Sequence, residues 1–117
     1  MVTRKGDSGS VDDPRVILVT APDRDTAHEL ARTLVGERLV ACANLLPGVR
    51  SVYRWEGAVE EADEVLLLLK TRADRVDTLR RRVVSIHPYD VPEFVVLPVE
   101  GGLDRYLDWI RTESSPE

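Results

Sequence analysis

Val65-Leu66-Leu67-Leu68-Leu69 decides the reading of this 117-residue chain. Leucine favours helices, but five consecutive apolar residues cannot form one helical face. A short run approached by the charged Glu60-Glu61-Ala62-Asp63 and closed by Lys70 reads as a strand covered on both sides. Val16-Ile17-Leu18-Val19 has the same character, so two strands are expected at the centre of a sheet.

Working outward, Ala27, Leu30, Ala31, Leu34 and Val35 recur at helical spacing after the break at Thr20-Ala21-Pro22-Asp23. Asp23 or Thr26 can cap that helix, with Glu29 completing a capping box on Thr26, and Gly36 marks its end. Ala41 to Leu46 is extended, Pro47-Gly48 predicts a bulge or turn, and Val49 to Glu56 resumes the strand. Alternation there puts Ser51, Tyr53 and Trp55 on one face. Gly57 is a turn signal leading towards Val65 to Leu69.

Val76, Leu79, Val83 and Ile86 form a second helical stripe, with Arg80, Arg81 and Arg82 turned outward and Pro88 as the stop. Phe94 to Leu97 is a fourth strand, ended by Pro98. Leu103, Tyr106, Leu107 and Ile110 define a short third helix, and Trp109 falls off its stripe. The order strand, helix, strand, strand, helix, strand, short helix is an α+β, ferredoxin-like (split βαβ) arrangement. It predicts an antiparallel sheet with helices on one face. The hairpin from Ala41 to Leu69 is too long for one small sheet and leaves edges for a neighbouring subunit to cover.

Composition sets further bounds. With 43% apolar and 32% charged residues, the chain has the make-up of a soluble globular domain. A net charge of -5 argues against a general nucleic-acid or membrane-surface binder. Residues 1–14 are polar, lack the apolar centre of a signal peptide and read as a flexible tail. Residues 15–112 read as a single folded domain, and 113–117 as a flexible C-terminus. The single cysteine, Cys42, excludes an intrachain disulfide and suits a cytoplasmic location.

The segment His87-Pro88-Tyr89-Asp90-Val91-Pro92-Glu93 joins an imidazole, a phenol and two carboxylates between fixed prolines. His87 reads either as a metal ligand or proton carrier at a helix end, or as a residue that terminates the helix. Cys42 reads either as a small buried filler or as a thiolate ligand. One histidine and one cysteine do not complete a four-coordinate site, so carboxylates such as Glu93 or a second subunit must contribute. Lys70 can receive an anion at its strand end. Tyr53, Trp55, Tyr89 and Trp109 suit a subunit interface or a cleft. No glycine-rich phosphate loop, GxSxG elbow or nucleophile–base pair is present, so no enzyme and no resident cofactor is expected.

Five motifs occur in order: Val19-Thr20-Ala21-Pro22-Asp23; Ala41-Cys42-Ala43-Asn44 with Leu46-Pro47-Gly48; Tyr53-Arg54-Trp55-Glu56-Gly57; Leu69-Lys70-Thr71; and His87-Pro88-Tyr89. With them the chain resembles the CutA divalent-ion tolerance family from about Val16 to Arg111. The resemblance implies a homotrimer assembled like the nitrogen-regulatory P-II signalling proteins and a role in tolerance of copper and other divalent ions, with weak or transient metal binding. It also implies an inter-subunit cleft lined by Tyr53, Trp55, Lys70, His87, Tyr89, Glu93 and Trp109. The alternative it leaves open is a trimeric sensor that binds a small anionic ligand in that cleft. Copper-binding members can carry a cysteine and a second histidine where this chain has Val19 and Ile86, which directs any metal site to His87, Cys42 and Glu93.

Overall fold

A computed structural model describes residues 9–116. The apolar runs become strands and the 3.6-residue stripes become helices. In chain order these are β1 (Pro14–Ala21), α1 (Arg24–Gly36), β2 (Cys42–Trp55), β3 (Ala58–Arg72), α2 (Val76–Ile86), β4 (Val95–Pro98) and α3 (Asp104–Glu113), with a short 3₁₀ turn Ala73–Arg75 before α2. The sheet order is β2-β3-β1-β4, and every neighbouring pair is antiparallel. This is the α+β, ferredoxin-like arrangement expected from the pattern.

Register explains the core. Ile17 pairs with Leu69, Val19 with Leu67 and Ala21 with Val65, and all six side chains turn towards the helices. They pack against Ala27, Leu30 and Leu34 of α1 and Leu79 and Val83 of α2. Leu67 and Leu69 have no exposed surface, so truncating either to alanine removes about 2–5 kcal/mol. The opposite face carries Val16, Leu18, Leu66 and Leu68, which remain only half-buried within one chain. Coverage on both faces is therefore completed only for the helix side.

Local chemistry sets the turns. Asp23 caps α1, its carboxylate accepting from the Thr26 amide at 2.8 Å, so the Thr26–Glu29 capping box is not the device used. Glu56 and Gly57 have φ of 49° and 83°, the two left-handed positions of a tight hairpin turn between Trp55 and Ala58. At Pro47-Gly48 the pairing jumps from Leu46–Leu66 to Val49–Glu64. Three β2 steps match two of β3, which moves odd-numbered β2 residues onto the face that Leu46 occupied before the bulge.

The chain ends differ from the expected boundaries. Pro14 is buried and paired with Arg72, and the carbonyls of Val11 and Asp13 accept from Asp74 and Ala73. These contacts fall inside the stretch read as an N-terminal tail, whose residues 1–8 lie outside the described residues. At the other end Ser114 is fully buried and its hydroxyl donates to the Ile110 carbonyl, inside the stretch read as a flexible C-terminus. Of the α3 stripe only Ile110 is fully buried, because α3 meets the sheet through its last turns; Leu103 and Tyr106 stay exposed.

Arg38 holds α3 in place. Its φ of 61° is a conformation that favours glycine and costs about 1–2 kcal/mol. Its guanidinium donates to the Thr112 carbonyl in the last turn of α3 at 2.9 Å and to the Ser115 carbonyl just beyond it at 3.1 Å. Arg72 adds a third such bond, to the Arg111 carbonyl. Arg38→Ala removes both donors and keeps the strain, so calorimetry should show a loss of about 1–2 kcal/mol. Arg38→Gly relieves the strain and should lose less; equal losses would remove the backbone strain from this account.

Candidate functional site

The His87–Glu93 segment begins where Pro88 ends α2. His87 is 8% exposed, and its amide closes the helix on the Val83 carbonyl. Its Nδ1 accepts from the Tyr89 amide at 3.0 Å, so Nε2 carries the hydrogen and donates to the Thr20 carbonyl at 2.7 Å. Tyr89 packs its ring 4.7 Å from the imidazole and donates its hydroxyl to Glu64 Oε2 at 2.8 Å. Burial, then the Glu64 carboxylate, push the Tyr89 phenol above its ordinary value, which keeps it a donor. The segment is thereby stapled to the end of β1 and to β3.

Stapling creates a cleft of about 710 Å³. One wall is Tyr89 to Glu93; the other is β2 from Ser51 to Trp55, with Thr20 and Glu64 between them. The bulge at Pro47-Gly48 is what turns Tyr53 and Trp55 to the same side as Glu64, where they are 44% and 50% exposed. The charged lining is Glu64, Asp90 and Glu93, with no lysine, arginine or histidine among the lining residues.

The expected site residues divide. Tyr53, Trp55, Tyr89 and Glu93 come together in this cleft. Lys70 does not: it lies six residues from Glu64 along β3, about 20 Å away. There its ammonium donates to the Tyr106 hydroxyl at 3.1 Å and sits 5.3 Å from that ring's centre. Trp109 stacks on Tyr106 at 5.5 Å, also at that end. Within one chain, Lys70 and Trp109 are a separate aromatic–ammonium cluster.

The expected metal set of His87, Cys42 and Glu93 is likewise not assembled within one chain. Both ring nitrogens of His87 are committed to backbone groups, which leaves no lone pair for a metal. Cys42 pairs with Lys70, and through it stands level with Val16, whereas His87 bonds to Thr20 four residues further along β1. That is about 13 Å along the strands, with two strand spacings added. Among the described residues no group of three or more His, Cys, Asp or Glu side chains is placed to hold a metal ion. Val19 is buried and Ile86 packs against the core, so both departures from a copper-binding pattern sit in hydrocarbon.

Glu64 and Thr20 were not singled out by the sequence pattern. Alternation along β3 from Lys70 puts Glu64 on the uncovered face, but only the β2–β3 register shows that it faces Tyr53 and Trp55. A second hollow of about 770 Å³ is lined by Asp12, Arg38, Arg72, Asp108, Arg111, Thr112 and Ser115. Its guanidiniums bond to α3 carbonyls, Asp74 and Asp108, so they serve the docking of α3.

Comparison with known proteins agrees with this fold. The family model for the CutA1 divalent ion tolerance protein matches residues 15–113. The divalent-cation tolerance protein CutA of Thermus thermophilus is 49% identical over 96 residues, covering 82% of this chain and 93% of that protein. The chloroplastic CutA protein of Arabidopsis thaliana is 44% identical over 99 residues; 85% of this chain matches, spanning 54% of that longer protein. The crystal structure of CutA from Xylella fastidiosa superposes with a TM-score of 0.85 at 44% identity, covering 88% of this chain and 99% of that one.

Tyr89→Phe should cost about 1.5–3 kcal/mol by removing a bond to a charged acceptor. Because folding raises the phenol's pKa, the unfolded chain releases that proton first as pH climbs above 10.0, and native stability falls. Denaturation from pH 8 to about 11 should therefore bring wild type towards Tyr89→Phe; a constant gap would contradict the part-buried Tyr89–Glu64 bond.

Proposed function

The chain belongs to the CutA1 divalent ion tolerance family, and on that premise we propose that it forms a homotrimer that protects against excess divalent cations, copper among them. It does so by holding hydrated ions transiently in the cleft between β2 and the His87–Glu93 segment. The observation that carries this reading is the charge of the cleft, whose charged side chains among the described residues are Glu64, Asp90 and Glu93. Among the described residues of one chain no three His, Cys, Asp or Glu side chains converge into an inner shell, so an ion there keeps most of its water and binds weakly. The same lining disfavours an anionic ligand, for which Lys70 stands too far away.

Trimer formation is supported by what a single chain leaves uncovered. Val16, Leu18, Leu66 and Leu68 are half-buried, while Val95, Leu97, Tyr106 and Trp109 are exposed. β1 pairs with β3 only from Val65 to Arg72, so the hairpin half from Ala58 to Glu64 projects beyond the rest of the sheet. Both sheet edges, β2 and β4, have free hydrogen-bonding sides for a neighbour. A reducing cytoplasm suits the free thiol of Cys42, and we read the molecule as a binding protein without a catalytic step.

Titrating copper and zinc into the assembled protein tests the site. Glu93→Gln should weaken both by several-fold, while Cys42→Ser, at the far end of the sheet, should leave the affinity within about twofold once folding is confirmed. A large loss in Cys42→Ser would restore that thiol as a ligand. Light scattering should return three chain masses of 13.1 kDa for the wild type and smaller species for Trp109→Ala. A monomeric wild type would contradict the assembly.

A further inference from the structure

The cleft contains more than hydrated metal ions can use. Three aromatic rings, Tyr53, Trp55 and Tyr89, line it beside the carboxylates. A hydrated divalent ion gains little from an aromatic face, and about 710 Å³ is the size of a site for an organic molecule. An ammonium group attached to a carbon skeleton uses every part. Its charge is drawn to the π faces and to the carboxylates, and its carbon body covers ring surface. Glu64 is preorganised for this task, since the Tyr89 hydroxyl holds one oxygen and fixes the carboxylate's direction. Ser51 and Thr20 lie on the same lining and offer oxygen acceptors for N–H groups.

We propose that this cleft binds a small organic ammonium compound, recognised by the Tyr53–Trp55–Tyr89 rings and by Glu64 and Glu93. This rests on the reading of the cleft as a cation site and names a second class of ligand for it. Organic ammonium and divalent ion then exclude one another, because both draw on the same carboxylates. Occupancy by one reports on the supply of the other.

Calorimetric titration of the assembled protein with choline and with putrescine tests the assignment, using 3,3-dimethyl-1-butanol as the neutral isostere of choline. At least one ammonium compound should bind, and the neutral isostere should bind about tenfold more weakly than choline if choline is the ligand bound. Trp55→Ala should weaken ammonium binding about tenfold, and Glu93→Gln should weaken both ammonium and metal binding. Light scattering on each variant confirms that assembly is intact. Binding of neither compound, measurable choline binding that its isostere matches, or ammonium affinity unmoved in Trp55→Ala would overturn the proposal. Loss of metal binding with retained ammonium binding would instead overturn the divalent-cation reading alone.

Discussion

Antiparallel pairing of β1 with β3 in a single register is the constraint on which the rest of the molecule depends. With Ile17 opposite Leu69 and Val19 opposite Leu67, the helices receive a continuous apolar surface. The same register aligns Val16, Leu18, Leu66 and Leu68 on the reverse face. A slip of one residue would exchange those two faces along a whole strand, so the register is strongly specified. It also sets the ends of the sheet apart: Thr20 and Glu64 mark one end, Lys70 and Cys42 the other. Which side chains of one chain share a site follows from that separation.

Two local devices convert this frame into a cleft. The Pro47-Gly48 bulge changes the parity of β2, so that Tyr53 and Trp55 face the side bearing Glu64. The imidazole of His87 then fastens the loop after α2 to Thr20, and Tyr89 fastens it to Glu64. Removing either device would leave the aromatic hairpin without an opposing wall. Histidine here contributes geometry, and the carboxylates and rings contribute recognition.

Much of the fold was legible because its signals are local. Short apolar runs at Val16 and Val65, helical stripes ending at Gly36 and Pro88, and the Gly57 turn each announce an element without knowledge of partners. The site was only half legible. Tyr53, Trp55, Tyr89 and Glu93 stand out by residue type, but Glu64 looks like one more charge before an apolar strand. His87 was ambiguous because its deciding partner, the Thr20 carbonyl, lies 67 residues away in sequence. Grouping Lys70 and Trp109 with the cleft failed for single-chain geometry, since residue type carries no measure of position along a strand. The α3 stripe was overread because helical spacing shows which residues share a face but not how much of that face meets a neighbour.

The central claim is that His87 is a structural staple whose two nitrogens are already spent. Nitrogen-15 NMR of the imidazole in the assembled protein tests it most directly. The account predicts a ring with hydrogen on Nε2 and a bare Nδ1 that accepts a hydrogen bond, with both resonances unmoved on adding zinc. Hydrogen on Nδ1, or a zinc-dependent shift of either ring nitrogen beyond that of neighbouring backbone amides, would contradict it.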